Sequence, residues 1–233
     1  MPRARRWLGF GSVVGVTVPG RHLPEATIAR LPRYLRALTE LAEGDVATVS
    51  SESLAEMTAL NAAKVRKDLS YLGTLGTRGS GYDVAILLGR IRAELGLTRE
   101  WPVAIVGLGN LGRALALYGG LPARGFKVVA LFDQDPDKWG EKVGGIAVSP
   151  ATDLADIVSS SGVEIGVVAT PASAAQGVAD RLVGAGVTAI LNFAPLSLSV
   201  PEGVALRHVD LSTELQILSF YQHQRSRHRP PVL

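Results

Sequence analysis

The chain has 233 residues, 47% hydrophobic and 19% charged, with no cysteine, which suits folded domains and excludes disulfides, thiolate metal sites and thiol redox chemistry. No apolar run reaches the ~20 residues of a membrane helix, so no membrane partner is expected; no metal is expected either, and the expected compartment is the cytoplasm. The net charge is only +3, but residues 1–80 hold 11 Lys/Arg against 7 Asp/Glu while residues 81–233 hold 13 against 14, the pattern of a polyanion-binding module joined to a neutral body.

The first 22 residues begin with arginines, continue through a Gly/Val segment and carry no acid. Paired arginines before an apolar stretch resemble a secretory signal, but no A-x-A cleavage site follows. Residues 1–23 are therefore expected to be a basic disordered extension that adds non-specific DNA affinity. Residues 24–83 read as three helices and a hairpin. Ile28, Leu31, Leu35, Leu38 and Leu41 recur at helical spacing, with Pro32 set to kink the helix or reset its start and Gly44 to stop it. Ser50 and Ser51 cap a second helix with Leu54 and Met57 turned inward. Asn61 caps a third helix, about 62–72, whose apolar face is Ala62, Val65, Leu69 and Leu72. Lys64, Arg66, Lys67, Ser70 and Tyr71 lie off that face. The glycine-rich TLGTRGSGYDV follows, with Arg78 near its tip, and reads as two short strands. Helix, helix–turn–helix and hairpin make a winged helix. An amphipathic helix over 84–100 is expected to link the two halves.

From Trp101 the pattern changes. Apolar runs at 102–107, 126–132, 163–169, 187–193 and 204–209 alternate with helical segments, notably 110–122, 151–159 and 172–185. Continuous apolar strands between helices predict a parallel sheet covered on both faces, so residues 101–210 are expected to form a doubly wound (Rossmann) α/β domain. A helix over 211–225 and a basic tail over 226–233 end the chain.

Gly107-Leu108-Gly109-Asn110-Leu111-Gly112 is a G-x-G-x-x-G that follows an apolar strand and opens a helix, the context a dinucleotide requires. Gly107 permits the turn, Gly109 admits the pyrophosphate and Gly112 lets the helix pack on the sheet. Asp133 stands 21 residues after Gly112, at a strand end, where an acid accepts ribose hydroxyls and repels a 2′-phosphate. NAD(H) is thus favoured over NADP(H), and Lys138 softens the preference. Thr170-Pro171 and Asn192-Phe193-Ala194-Pro195 end two later strands and can frame a nicotinamide, although a plain strand-ending role suits the prolines equally. Coenzyme A in the same fold is the alternative ligand.

On the third helix, Arg66 and Lys67 suit a major groove, with Lys64, Ser70 and Tyr71 along the phosphate wall and Arg78 in a minor groove. By charge alone a solvated face explains this helix as well. A hydride-transfer enzyme needs an acid or base beside the reacting carbon. Three of the four histidines (His22, His223 and His228) lie in or near the terminal segments, His208 sits on a late strand, and no lysine follows Lys142. The nucleotide site looks complete while a catalytic apparatus looks absent, though Tyr118 or water can serve. An NAD-dependent dehydrogenase with a basic accessory domain is the alternative function.

The sequences VRKDLSYLG and GTRGSGY, then VGLGNLG, FDQDP and NFAP, resemble in that order the redox-sensing transcriptional repressors of the Rex family over about residues 24–224. The extension, Pro32 and Leu72, where many members carry Phe, depart from the pattern. The resemblance implies a homodimer that binds palindromic operator DNA, responds to the NADH/NAD⁺ ratio and is released by NADH. It implies cofactor contacts from Gly107–Gly112 and Asp133, with Tyr118 and Asn192–Pro195 near the nicotinamide. It also implies that the C-terminal helix is domain-swapped between subunits. Arg36 and Asp210 are candidates for a charge pair formed in one dimer state only.

Overall fold

The computed structural model of the chain describes residues 23–73, 76, 77 and 81–227, the side chains of 76, 77, 226 and 227 excepted. The N-terminal extension, Arg78 and residues 228–233 lie outside the described residues. Two compact units divide at Glu100/Trp101.

The first unit starts with α1 (Glu25–Ile28) and α2 (Leu31–Glu43). Pro32 sits in the first turn of α2, where a helix has no use for the missing N–H, so the proline restarts the helix rather than kinking it. After β1 (Thr48–Val49) comes α3 (Ser51–Thr58), whose cap Ser50 accepts the Ser53 N–H at 3.0 Å. Ala59 turns the chain with a positive φ of 54°. Asn61 then caps α4 (Ala62–Ser70), its Oδ1 accepting the Lys64 N–H at 2.8 Å. β2 (Gly76–Thr77) and β3 (Gly81–Asp83) form the expected hairpin, and β1 adds a third strand in the antiparallel order β1-β3-β2. Gly81 has φ +77°, and a Cβ there would lie 2.5 Å from the Val49 carbonyl oxygen, so the wing closes only with glycine.

Two expectations need correction in this unit. Met57 is exposed, because the buried face of α3 runs through Leu54, Ala55 and Thr58 and leaves Met57 on its flank. The helix expected to link the halves is α5 (Val84–Glu94), and it belongs to this unit. Its Val84, Leu87 and Ile91 enter one core with Leu31, Tyr34, Leu38, Val65 and Leu69.

A buried carboxylate ties these helices together. Asp68 on α4 is 1% exposed and accepts four hydrogen bonds. They come from Thr27 Oγ1 (2.9 Å), Arg30 Nε (2.6 Å), Arg30 Nη2 (2.7 Å) and Tyr34 Oη (2.8 Å). Burial pushes the Asp68 carboxyl up, but the bonds from Arg30, Tyr34 and Thr27 outweigh it and hold the group below its ordinary range. Burial and the same carboxylate push the Tyr34 hydroxyl well above its usual value.

The second unit is a seven-stranded sheet. In chain order it comprises β4 (Trp101–Val106), α6 (Asn110–Ala116), β5 (Phe126–Asp133), β6 (Lys142–Val143), β7 (Ile146–Pro150), α7 (Leu154–Ser160), β8 (Ile165–Val168), α8 (Ala172–Gly184), β9 (Ala189–Asn192), β10 (Ala205–His208) and α9 (Leu211–Arg227). The order across the sheet is β10-β9-β8-β4-β5-β7-β6. All pairings are parallel except β6 with β7, so the sheet is mixed where a parallel one was expected. That hairpin turns at Gly144-Gly145, both at positive φ. Alternation along β4 sorts the core: Ala104 and Val106 face the α7 and α8 side with Leu154, Val158 and Leu182, while Val103 and Ile105 face the other side with Leu131 and Leu115 of α6.

Replacing Asp68 with Asn leaves the partly buried Arg30 without its charge partner. The loss at pH 7 is expected to be about 3 kcal/mol of unfolding free energy. Because the folded carboxyl is held low, its contribution is present above the unfolded value of ~3.9 and fades as pH falls through the folded one. Denaturant titrations of both proteins should therefore differ most at neutral pH and converge in acid. Equal stability at pH 7 would contradict the assignment.

Candidate nucleotide site and nucleic-acid interface

The order of the sheet reverses beside β4: the chain goes from β4 to β5 on one side and later returns to β8 on the other. Ligands of such sheets bind at the carboxyl ends of the strands at that reversal. A cavity of about 790 Å³ lies there, against Gly107 and Gly109 after β4, Asp133 at the end of β5 and Thr170 after β8.

The three fingerprint glycines differ in what confines them. Gly107 has φ +97°, and a Cβ would lie 2.6 Å from the Ala169 carbonyl oxygen. At Gly112 a Cβ would overlap the carbonyl oxygen of Gly107, so α6 packs this close to the turn only because that atom is missing. At Gly109 a Cβ would meet nothing within 4 Å, so the protein itself does not require glycine there. What a side chain would fill is the cavity at the start of α6, where unpaired N–H groups and the helix dipole favour an anion.

Asp133 is 6% exposed. Its Oδ2 accepts from the Leu108 N–H at 2.6 Å and from Lys138 Nζ at 3.1 Å, and its Oδ1 accepts from the Asp135 N–H at 2.9 Å. Burial pushes this carboxyl up, yet those donors prevail and keep it below its ordinary range, hence charged. Asp133 thus braces the glycine turn and keeps one of a carboxylate's roughly four acceptor positions for a hydroxyl. Lys138 also approaches Asp135 Oδ2 at 3.6 Å. The Thr170 hydroxyl lines the cavity and, among the buried side-chain atoms of the described residues, lacks a hydrogen-bond partner. An orphaned buried hydroxyl beside a cradle open to phosphate fits a bound dinucleotide.

Eight of the fourteen residues expected at the cofactor line this cavity: Gly107, Gly109, Asn110, Leu111, Asp133, Thr170, Pro171 and Phe193. The others stand back from it. Leu108 and Gly112 are buried behind the turn. Asn192 is fully buried and spends its amide on the turn that follows, accepting the Ala194 N–H at 2.9 Å and donating to the Leu196 carbonyl at 2.7 Å. Ala194 is buried, Pro195 is exposed, and Tyr118 is 54% exposed with its ring over Gly120. Sequence reasoning missed Gln134, Asp135, Ala151, Ala174, Val178 and Arg181, which also line the cavity. Ala174, Val178 and Arg181 share one face of α8, and that helical spacing was the available signal. Arg181 donates to the Ala151 carbonyl at 3.0 Å and so stands at the same end as Asp133.

In the first unit, Lys64, Lys67 and Tyr71 line a cleft of about 480 Å³ together with Asn61 and Arg30, and Asp68 belongs to the same wall. Ser70 turns its hydroxyl back to the Lys67 carbonyl at 2.7 Å. Arg66 points elsewhere, to Glu52 and Ser51 of α3. Arg36 pairs with Glu40 on its own helix at 3.2 Å. Asp210 accepts from the Ser212 N–H (2.8 Å), Ser212 Oγ (2.6 Å) and Thr213 Oγ1 (3.1 Å) at the start of α9.

A dinucleotide cradle and a cationic helix–turn–helix with a wing, carried by one chain, define a nucleotide-responsive DNA-binding protein. Residues 22–70 match the family described as putative DNA-binding protein N-terminus, and residues 98–196 match the CoA binding domain family. A redox-sensing transcriptional repressor Rex of Streptomyces griseus is 63% identical over 206 residues, covering 88% of this chain and 81% of the relative. One from Desulfitobacterium hafniense is 46% identical, covering 85% and 94%. Among solved structures, a Rex-family repressor called RSP in complex with β-NAD⁺ and operator DNA is 37% identical with a TM-score of 0.84, covering 88% of this chain and 94% of that one. The same repressor in complex with β-NADH has 36% identity and a TM-score of 0.79, covering 87% and 95%. The chain belongs to the Rex family of redox-sensing transcriptional repressors.

The glycines give a paired test of the cradle. Gly109→Val places its Cβ in open space and is expected to lower the melting temperature only slightly, through loss of a favoured helix cap, while abolishing NADH binding in a calorimetric titration. Gly112→Ala forces α6 off the turn and is expected to cost about 1–3 kcal/mol of stability as well as binding. Undiminished NADH affinity in Gly109→Val would place the pyrophosphate elsewhere.

Proposed function

We propose that the protein is a cytoplasmic homodimer that binds palindromic operator DNA and is released from it by NADH, so that it reads the NADH/NAD⁺ ratio. The observation that carries this reading is the cradle at the switch of the sheet, with bare Gly109, charged Asp133 and the unpartnered Thr170 hydroxyl, in a chain that also carries α4. The RSP complexes with β-NAD⁺ plus operator and with β-NADH support the same pairing of ligands.

Gly107, Gly109, Asn110 and Leu111 hold the pyrophosphate, Asp133 a ribose hydroxyl, and Thr170, Pro171 and Phe193 border the nicotinamide. Leu108, Gly112 and Asn192 act behind them by shaping the two turns, with Ala194 and Pro195 completing the second. Tyr118 acts from outside the cavity wall. NAD(H) rather than coenzyme A is the ligand because Asp133 stands where a ribose 2′-hydroxyl is accepted and a phosphorylated ribose is repelled. Lys64, Lys67, Ser70 and Tyr71 contact the phosphate backbone, Arg66 contacts bases in the major groove, and Arg78 enters a minor groove.

The dimer rests on α9. Leu211, Leu215, Leu218, Phe220 and Tyr221 are all more than half exposed in the single chain, an apolar surface larger than a free helix carries without a partner. A helix exchanged between subunits covers it. Two α4 helices must then stand ~34–36 Å apart to enter successive major grooves of a palindrome. Moving the DNA-competent state from 99% to 1% needs about 5.5 kcal/mol of difference in NADH affinity between the two dimer states.

The direct test is fluorescence anisotropy of a labelled operator, first titrated with protein and then with NADH or NAD⁺. Release by NADH at concentrations where NAD⁺ leaves the complex intact is expected; indifference to both would end the sensor reading.

Arg36 and Asp210 are the proposed switch pair, joined in one dimer state. Both already have partners in the single chain, so the pair gains only the difference between two charged arrangements. Arg36→Ala and Asp210→Asn, the second of which keeps an acceptor for Ser212, are each expected to shift the NADH concentration for half-release several-fold, upward if the pair belongs to the released state and downward if it belongs to the DNA-bound one. Unshifted release curves would remove the pair.

A further inference from the structure

We propose that Glu52 is a positioning residue for base recognition, holding Arg66 by one end so that the other end meets a guanine. The proposal rests on the reading of α4 as the helix that enters the major groove. Arg66 Nη1 donates one N–H to Glu52 Oε1 at 2.8 Å and the other to Ser51 Oγ at 2.9 Å. Both bonds use a single nitrogen. Of the five donors of a guanidinium, the three on Nη2 and Nε make no hydrogen bond to a described residue, and guanine O6 and N7 require two donors side by side.

The platform beneath Arg66 is itself fixed. Ser51 is 8% exposed, and its hydroxyl lies 3.1 Å and 3.2 Å from the two Glu52 oxygens. The two residues occupy the first turn of α3, which the Ser50 cap anchors. The acid is not there for burial, since the side chains of Arg66 and Glu52 are 54% and 65% exposed.

An acid on a DNA-facing surface repels phosphate, so it weakens binding to every sequence alike. Its compensation is order: an arginine already held in place loses less freedom when it docks than one that must be immobilised on the base. The lysines of the same helix show the contrast. Lys64 and Lys67 line the neighbouring cleft and contact phosphates as mobile point charges, which need no such brace.

The test uses the full-length protein and a duplex recovered by selection from a randomised library, compared with a scrambled duplex of the same composition. Arg66→Ala is expected to lose preference for the selected duplex and to bind both duplexes more weakly. Glu52→Ala is expected to lose about tenfold in preference, at the positions that Arg66→Ala relaxes, while binding the scrambled duplex as tightly as wild type or more tightly. In the Arg66→Ala background, Glu52→Ala should then change preference no further. Circular dichroism melting establishes that both variants fold. The proposal fails if Glu52→Ala keeps the wild-type preference, weakens both duplexes equally, or acts as strongly without Arg66. If Arg66→Ala alone keeps the preference, the base-reading role of α4 fails and takes the proposal with it.

Discussion

The winged-helix unit depends on a single buried charge. Asp68 lies on the same helix as Lys64, Arg66 and Lys67, yet it faces inward and is sealed by Arg30, Tyr34 and Thr27. A carboxylate cannot remain charged out of water without such partners, so α1, α2 and α4 must stand in one arrangement for it to be satisfied. A purely apolar contact at this point would tolerate rotation of α4. Four directed bonds do not, and they fix which side chains of the helix point outward. Lys64, Lys67 and Tyr71 are placed around one cleft because Asp68 is placed in its wall. The stability this pair adds is secondary, since buried ion pairs are often replaceable by apolar ones; what it supplies is orientation.

The nucleotide unit solves the opposite problem by omission. Gly112 brings α6 onto the turn, Gly107 passes under the Ala169 carbonyl, and Gly109 leaves space. Asp133 then does two jobs at once, bracing the turn through the Leu108 N–H and keeping a negative charge at the cavity wall. Lys138 offsets that charge only in part, because it sits between Asp133 and Asp135. Arg181 stands at the same end, so two cations and two carboxylates balance there; what disfavours a ribose phosphate is the Asp133 carboxylate itself, at the position proposed to accept a ribose hydroxyl.

Much of this was legible in the sequence, because the informative positions are ones where a single residue type is required. The fingerprint glycines, the capping Ser50 and Asn61, and the alternation of apolar runs with helical faces each follow from local chemistry. The hairpin of β6 and β7 was missed although KVGGIAV carries its signal, a Gly-Gly turn between β-branched residues, because the strands are short and precede a helix. The role of α5 was misjudged because its amphipathic pattern states that one face is buried and not against which partner. The Asp68 network was invisible for the same reason: in VRKDLSYLG an aspartate among cations reads as a surface residue, and only the fold brings Arg30 and Tyr34 to it. Arg181 and Val178 were missed because helix faces that line cavities resemble helix faces that line cores.

The division of charge along the cavity bears on how a redox ratio is read. Asp133, Asp135, Lys138 and Arg181 stand together at the end proposed for adenosine, while Pro171, Phe193 and the neutral Thr170 hydroxyl border the end proposed for nicotinamide. The adenosine half is common to NAD⁺ and NADH, so everything bound there contributes affinity without discrimination, and a ligand shifts an equilibrium only by what differs between the states. The difference lies in the ring, which is cationic in NAD⁺ and neutral in NADH. A wall that offers an apolar ring, a proline and one hydroxyl penalises the cation by desolvation and leaves the neutral form unpenalised. On this reading the charged end sets how much total dinucleotide is held, and the apolar end decides which redox form is preferred. Adding a carboxylate at the Phe193 end would therefore favour the cationic ring and penalise the neutral one, narrowing or reversing the preference.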